Sequence, residues 1–280
     1  MKIITRKIYY KLINRSEFLN NIFQNLKFQL RFNNRTRKTI WGFKFIGTRS
    51  MAKGTFEKEE TNFFNNTITN YDIFINIGAN VGYYVLNALN SNKKIKVYAF
   101  EPIIQNFILL KKNVSLNSFN DRVVAENIAL GNKNTDTKIY GNTTGASLLK
   151  GWSNNPENFF QTVKCFKLDT YARTKGINFE GENTFIMIDV EGFELEVLEG
   201  AKTILKNTTP TLFVEICNGQ HFIKNDNLFV KKFQFLYDIG YSSYVLNGGV
   251  IEKYKIDLTK NETHNFIFVH ETNVKGFEKK

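Results

Sequence analysis

The chain has 280 residues, of which 42% are hydrophobic, 15% aromatic and 23% charged, a balance that excludes a disordered, collagen-like or low-complexity protein. Two cysteines, Cys165 and Cys217, are too few for a disulfide framework and lack the C-x-x-C spacing of a zinc or redox site. The net charge of +12 is concentrated in residues 1–50, which hold twelve Lys and Arg against one acid, Glu17. The near-neutral remainder argues against a nucleic-acid substrate, whose phosphates call for basic charge around the catalytic cleft.

In chain order, Ile4, Ile8 and Leu12, then Leu19, Ile22, Phe23, Leu26 and Leu30, recur at three- and four-residue steps, which predicts two amphipathic helices in a basic arm over residues 1–50. From residue 71 the pattern becomes short β-rich runs separated by helical stretches. Strands are expected at Tyr71–Ile77, Lys96–Glu101, Val123–Leu130, Phe185–Val190 and Thr211–Cys217, with helices at Gly82–Asn90, Ile104–Leu116, Phe193–Leu205 and Leu228–Ile239. This alternation predicts an α/β domain over residues 51–280, built on a mostly parallel sheet covered on both faces. Thr137–Tyr140 and Thr162–Leu168 read as an inserted hairpin, and Tyr241–Leu246 with Asn265–His270 as a closing antiparallel pair.

The first strand runs into Ile77-Gly78-Ala79-Asn80-Val81-Gly82. A glycine turn at a strand-to-helix junction is where ligands bind in open α/β sheets. The second strand ends nineteen residues past Gly82 in Ala99-Phe100-Glu101-Pro102, where a carboxylate accepts hydrogen bonds from ribose hydroxyls. Turn and acid together predict an adenosine-type site. The spacing is not G-x-G-x-x-G, which weakens a dinucleotide reading. Tyr171-x-x-x-Lys175 has the spacing of a short-chain dehydrogenase pair but stands outside that context.

Several motifs in order make the chain resemble the FkbM family of S-adenosylmethionine-dependent methyltransferases. They are Gly54-Thr-Phe-Glu-Lys-Glu-Glu, Ile75-Asn-Ile-Gly-Ala-Asn-Val-Gly-Tyr-Tyr, Tyr98-Ala-Phe-Glu-Pro, Asn127-Ile-Ala-Leu-Gly, Gly145-Ala-Ser-Leu, Leu168-Asp-Thr, Ile188-Asp-Val-Glu-Gly-Phe-Glu and Val214-Glu-Ile. The resemblance implies the seven-stranded class I methyltransferase (Rossmann-like) fold and methyl transfer, usually to a hydroxyl oxygen. It implies S-adenosylmethionine at the Gly78–Gly82 turn, with Asn76, Ala79, Asn80 and Tyr83 in the same motif. It also implies Glu101 on the ribose, followed by Pro102, and Asn127 to Ala129 beside the adenine. The chain departs from the family at Asn76, where Asp is usual, and at Cys217, near which the family often has His; His221 follows four residues later.

Asp189 and Glu191 end the fourth core strand, and two adjacent carboxylates repel each other unless a proton or cation is shared. Glu194 falls in the first helical turn, where the helix dipole favours a carboxylate. An alcohol needs a base as it attacks a sulfonium methyl, and Asp189, Glu191, Glu215 and His221 are the candidates. A divalent metal on the carboxylates is the alternative use of the same oxygens. His264 and His270 read as structural.

The expected partner is a small-molecule or glycan acceptor, with the oligomeric state open. No apolar run reaches the roughly 18 residues of a membrane span, so a cytoplasmic enzyme is expected, with peripheral membrane contact open to the basic arm. Two other readings stay open: an RNA methyltransferase, and a non-catalytic nucleoside-binding protein at a membrane surface.

Overall fold

The structure is a computed structural model that describes residues 32, 35–141, 145–150, 160–217, 227–255 and 263–274. The helices expected between Ile4 and Leu30, together with Trp152 and His221, lie outside these residues.

The described chain opens with an antiparallel hairpin, β1 (Thr36–Lys38) and β2 (Lys44–Ile46), then the helices α1 (Arg49–Ala52) and α2 (Lys58–Thr67). Ile73-Phe-Ile-Asn-Ile77, buried throughout, forms β3 (Ile73–Ile77); a run without polar alternation is what a strand covered on both faces requires. There follow α3 (Tyr83–Ser91), β4 (Lys96–Phe100), α4 (Ile104–Ser115) and β5 (Val123–Glu126). The chain then leaves the main sheet for β6 (Ala129–Leu130), β7 (Thr135–Tyr140) and β8 (Phe160–Phe166), which make a separate three-stranded sheet. It returns through α5 (Leu168–Lys175), β9 (Thr184–Ile188), α6 (Glu194–Gly200), α7 (Lys202–Thr208), β10 (Thr211–Cys217) and α8 (Asn227–Asp238). The last strands are β11 (Tyr241–Asn247), β12 (Val250–Lys253) and β13 (Thr263–His270).

The main sheet has the order β5-β4-β3-β9-β10-β13-β11-β12. Its first five strands are parallel, and β13 inserts antiparallel between β10 and β11. Seven of these strands are the expected class I set; β12 adds an eighth at the edge, closing a hairpin on β11. The order reverses between β3 and β9, because the chain runs outward through β4 and β5 before crossing back. That reversal opens a crevice at the strand carboxyl ends.

Three expected elements divide. The run 123–130 becomes β5 and β6, which belong to different sheets. The expected helix 193–205 breaks into α6 and α7 at Gly200, whose backbone presses against Gly131; a Cβ there would lie 1.9 Å from the Gly131 carbonyl oxygen. Leu168, expected to end a strand, starts α5 instead.

Strand alternation splits the core into two layers. Ile73, Ile75 and Ile77 pack with residues of α5, α6, α7 and α8 on one face, and Phe74 packs with residues of α2, α3 and α4 on the other. The β1–β2 hairpin belongs to the second layer, where Phe43, Phe45 and Ile46 are buried. Residues 35–50 of the expected arm thus contribute side chains to the main core. Asn113 of α4 makes the joint: its Oδ1 accepts from the Ile46 N–H (2.8 Å), and its Nδ2 donates to the carbonyls of Ile46 (3.0 Å) and Val81 (2.8 Å). Removing this amide strands three buried backbone groups, each worth about 1–3 kcal/mol. Asn113→Ala is therefore expected to destabilise the protein by about 3 kcal/mol or more, read as a lower urea midpoint.

Candidate active site

The crevice between β3 and β9 is built by a close approach of main chains. Gly78 has φ +82°, and a Cβ on it would sit 1.8 Å from the Asp189 carbonyl oxygen; Asp189 in turn donates its N–H to the Ile77 carbonyl at 3.0 Å. The turn is pinned to the neighbouring strand as well, since the N–H groups of Gly78 and Ala79 both reach the Phe100 carbonyl, at 3.0 and 2.9 Å. Asn80 takes a left-handed conformation (φ +49°), and its Oδ1 accepts from the Val81 N–H at 2.9 Å. The N–H of Gly82, the N-cap of α3, returns to the Ala79 carbonyl.

This turn, the end of β4 and the three-stranded sheet border a cleft. Gly78, Asn80, Glu101, Pro102, Ala129, Asp189 and Glu191 line it, joined by Asn106 and apolar groups such as Ile128 and Leu148. Glu101 is 4% exposed. Its Oε2 accepts from the Asn80 N–H (2.7 Å), and its Oε1 from the Ile103 N–H (2.9 Å) and Asn106 Nδ2 (3.3 Å). Burial outweighs these donors and pushes its pKa up to about 7. Asn106 Oδ1 is buried beside it without a hydrogen-bond partner.

Five expected cofactor residues do not line the cleft: Ala79 and Gly82, which serve the turn's backbone, and Tyr83, Asn76 and Asn127. Tyr83 is 3% exposed and faces the core, edge-on to Phe56 at 5.5 Å and Trp41 at 5.8 Å, because α3 turns that position inward. Asn76 is 2% exposed, within β3 between Ala99 and Met187 of the adjacent strands. The Asn127 side chain is spent on main chain, donating to the carbonyls of Glu101 (2.8 Å) and Pro102 (2.9 Å), so it shapes the cleft from outside.

The inserted sheet closes the cleft through Ser147, which is fully buried and donates from Oγ to the Glu191 carbonyl at 2.7 Å. Glu191 itself has φ +57°, an uncommon conformation for a residue with a side chain. Glu194 Oε1 accepts from the Gly192 N–H at 2.8 Å, so this acid fastens the loop into α6. Burial pushes its pKa up to about 8.

Beyond Asp189, carboxylates converge. Asp189 opens onto the cleft, and desolvation, then the charge of Glu215 and a hydrogen bond with it, hold its carboxyl well above the usual range. Ionisation of Asp189 is thus disfavoured both by burial and by the like charge beside it. Glu191 and Glu57 push in the same direction. Glu57 has φ +41° at the N-cap of α2 and accepts from the Tyr84 hydroxyl at 2.7 Å. Its own pKa is raised to about 7, chiefly by desolvation and further by Glu215 and Glu60, against the lowering effect of the Tyr84 bond. Glu57 stands in the Gly54–Glu60 motif, but its meeting with Tyr84 and Glu215 is a tertiary event that spacing does not announce. Among the described residues no group of three or more His, Cys, Asp or Glu is arranged to hold a metal ion.

Other sequence candidates have structural employment. Tyr171 donates to Glu126 Oε1 at 2.9 Å and Lys175 Nζ stands 3.1 Å from the same oxygen, so this Tyr-x-x-x-Lys pair anchors the end of β5. His270 holds the Ile239 carbonyl at 2.9 Å. The approach of Gly78 to Asp189 gives the sharpest test of the geometry: Gly78→Ala combines a forbidden contact with an unfavourable φ. It is expected to cost more than about 4 kcal/mol, so that the variant is recovered unfolded by circular dichroism.

The chain matches the methyltransferase FkbM domain over residues 76–243. No curated protein matches it. Among solved structures it is similar to the methyltransferase FkbM from Methylobacillus flagellatus, at 13% identity and TM-score 0.45, covering 91% of this chain and 60% of that one. It is also similar to an O-methyltransferase from Bacillus cereus in complex with SAH, at 14% identity and TM-score 0.43, covering 75% of this chain and 80% of that one. A third is the precorrin-6y C5,15-methyltransferase from Geobacter metallireducens, at 12% identity and TM-score 0.39, covering 76% and 87%. This chain thus spans less than two thirds of the M. flagellatus protein. The domain match covers more than half of the sequence and takes in both the Gly78 turn and the Asp189 strand end: the chain belongs to the FkbM methyltransferase family.

Proposed function

We propose that the protein transfers a methyl group from S-adenosylmethionine to a hydroxyl oxygen of a sugar, glycan, glycolipid or related metabolite. One observation carries this reading: the crossing of Gly78 and Asp189 sets a nucleoside-type turn directly beside two neighbouring carboxyl groups, those of Asp189 and Glu215. When bound, the cofactor supplies an electrophilic sulfonium methyl group.

The residues present fit that group. Three N–H donors occupy most of the acceptor positions of Glu101, which leaves Oε2 able to take a ligand hydroxyl. The long Asn106 contact and the orphaned Asn106 Oδ1 offer a place for a second. Ile128, Ala129 and Leu148 give the cleft an apolar wall suited to a flat heterocycle. Asn80 and Glu101 are held to one another, so turn and ribose site move as a unit.

On the acceptor side, Asp189 and Glu215 set two carboxyl groups side by side, and burial and like charge make Asp189 readier than an ordinary carboxylate to take up a proton. That arrangement takes the hydroxyl proton as the oxygen attacks. Nearby, Tyr84 holds Glu57 by its 2.7 Å hydrogen bond, and the charge of Glu57 adds to the field at the pair. A neutral polyol is compatible with this concentration of carboxylates. A nucleic-acid backbone is not, because its phosphates would meet like charge where they need cations.

Two outcomes test the reading. Glu101→Ala is expected to weaken S-adenosylmethionine binding at least tenfold in calorimetry. Wild-type affinity is expected to be level above about pH 7 and to fall about tenfold per pH unit below it, because ligand hydroxyls favour the ionised Glu101 that burial disfavours; Glu101→Gln removes that slope. Separately, Asp189→Asn and Glu215→Gln are expected to lower turnover by about 10²–10⁴-fold with cofactor affinity within a few-fold. Full turnover in both amide variants would remove the pair from the chemistry.

A further inference from the structure

A second concavity, of about 630 Å³, lies outside the cofactor cleft, between α2 and the β11–β12 hairpin. One wall is a single helical face: Glu59, Asn62, Phe63 and Asn66 follow at steps of three, one and three residues. The opposite wall carries the Gly248-Gly249 turn, where added Cβ atoms would meet nothing within 4 Å. With no side chains there, the groove stays open and main-chain N–H and C=O groups are within reach of a ligand.

The lining has a defined chemistry. Glu59, Asn62 and Asn66 are exposed, and none of these three side chains is hydrogen-bonded to another described residue. Each carboxamide offers two N–H donors and a carbonyl acceptor in one plane, and the carboxylate offers two acceptor oxygens. Such groups pair with adjacent hydroxyls, which are donors and acceptors together. Half-buried Phe63 adds an apolar surface for ring C–H groups. Amides and a single acid for hydroxyls, with Phe63 and Ile251 for ring C–H groups, suit a sugar ring better than an anion or a hydrocarbon chain.

The helical wall of the groove leads toward the Asp189 and Glu215 carboxyl groups. Phe63 stacks on Phe213 with ring centroids 6.1 Å apart, and Phe213 lies two residues before Glu215 on the same face of β10, about 7 Å along the strand. At the other end, α2 begins at Glu57, two residues before Glu59. We infer that this groove is a subsite for a further sugar residue of an oligosaccharide acceptor, whose reacting hydroxyl is presented at Asp189 and Glu215. The inference rests on the sugar-hydroxyl reading above and extends it to an acceptor larger than one ring.

The test is methyl transfer from labelled S-adenosylmethionine to an array of mono-, di- and trisaccharides, by wild type and by the double variant Asn62→Ala/Asn66→Ala. Both positions are exposed, so the fold is retained; unchanged S-adenosylmethionine binding verifies it. Wild type is expected to show a KM about tenfold or more lower for its best di- or trisaccharide than for the corresponding monosaccharide. The double variant is expected to lose that advantage, with kcat unchanged and the monosaccharide unaffected. Equal KM for the longer acceptor in both proteins overturns the groove while leaving sugar methylation in place. Transfer to no saccharide, by a protein that binds S-adenosylmethionine, overturns the sugar reading itself and the groove with it.

Discussion

Everything at the active end of this protein depends on two main chains passing closer than a side chain allows. Gly78 and the Asp189 carbonyl occupy space that a Cβ would fill, and the Asp189 N–H reaches back to Ile77. The contact fixes the separation of the glycine turn from the acidic strand end without any side chain acting as a spacer. Because β3 and β9 are adjacent only through the reversal in strand order, the topology creates the crevice and the glycine makes it narrow.

Around that junction the burial of charge follows a division of labour. Glu101 and Glu194 are sealed in and held by N–H donors, whereas Asp189, Glu57 and Glu215 face one another. Carboxylates so arranged cost stability when all are ionised, and the fold accepts strained backbone at Glu57 and Glu191 to present them. Strain and like-charge repulsion placed together at one end of a sheet mark that end as built for chemistry.

Much of this was legible in the sequence. Runs such as Ile73–Ile77 and Thr211–Cys217 are apolar without alternation, which gives parallel strands away, and the turn at Gly78 with Glu101 one strand later announced the cleft. What stayed hidden depended on tertiary choices. Nothing between Val123 and Leu130 says that the chain changes sheets, since both halves have strand character. Gly200 looks like a tolerated helix glycine until Gly131 is set against it. The adjacent Tyr83 and Tyr84 are chemically alike, and only the rotation of α3 sends one into the aromatic core and the other to Glu57. Glu57 itself precedes the first core strand and reaches the carboxylates through folding alone.

The joint at Asn113 has a consequence for how the two functions of the molecule are insulated. It clamps the β1–β2 hairpin and the loop entering α3 with a carboxamide, a group that neither gains nor loses a proton across the range in which Glu57 and Glu101 change charge. Acidification that silences the carboxylates therefore leaves this scaffold bond at full strength, and so does added salt, which screens ions but not a buried amide. Solution conditions can thus tune the catalytic end through its ionisation state while the mechanical connection between hairpin, helix and turn stays indifferent to them.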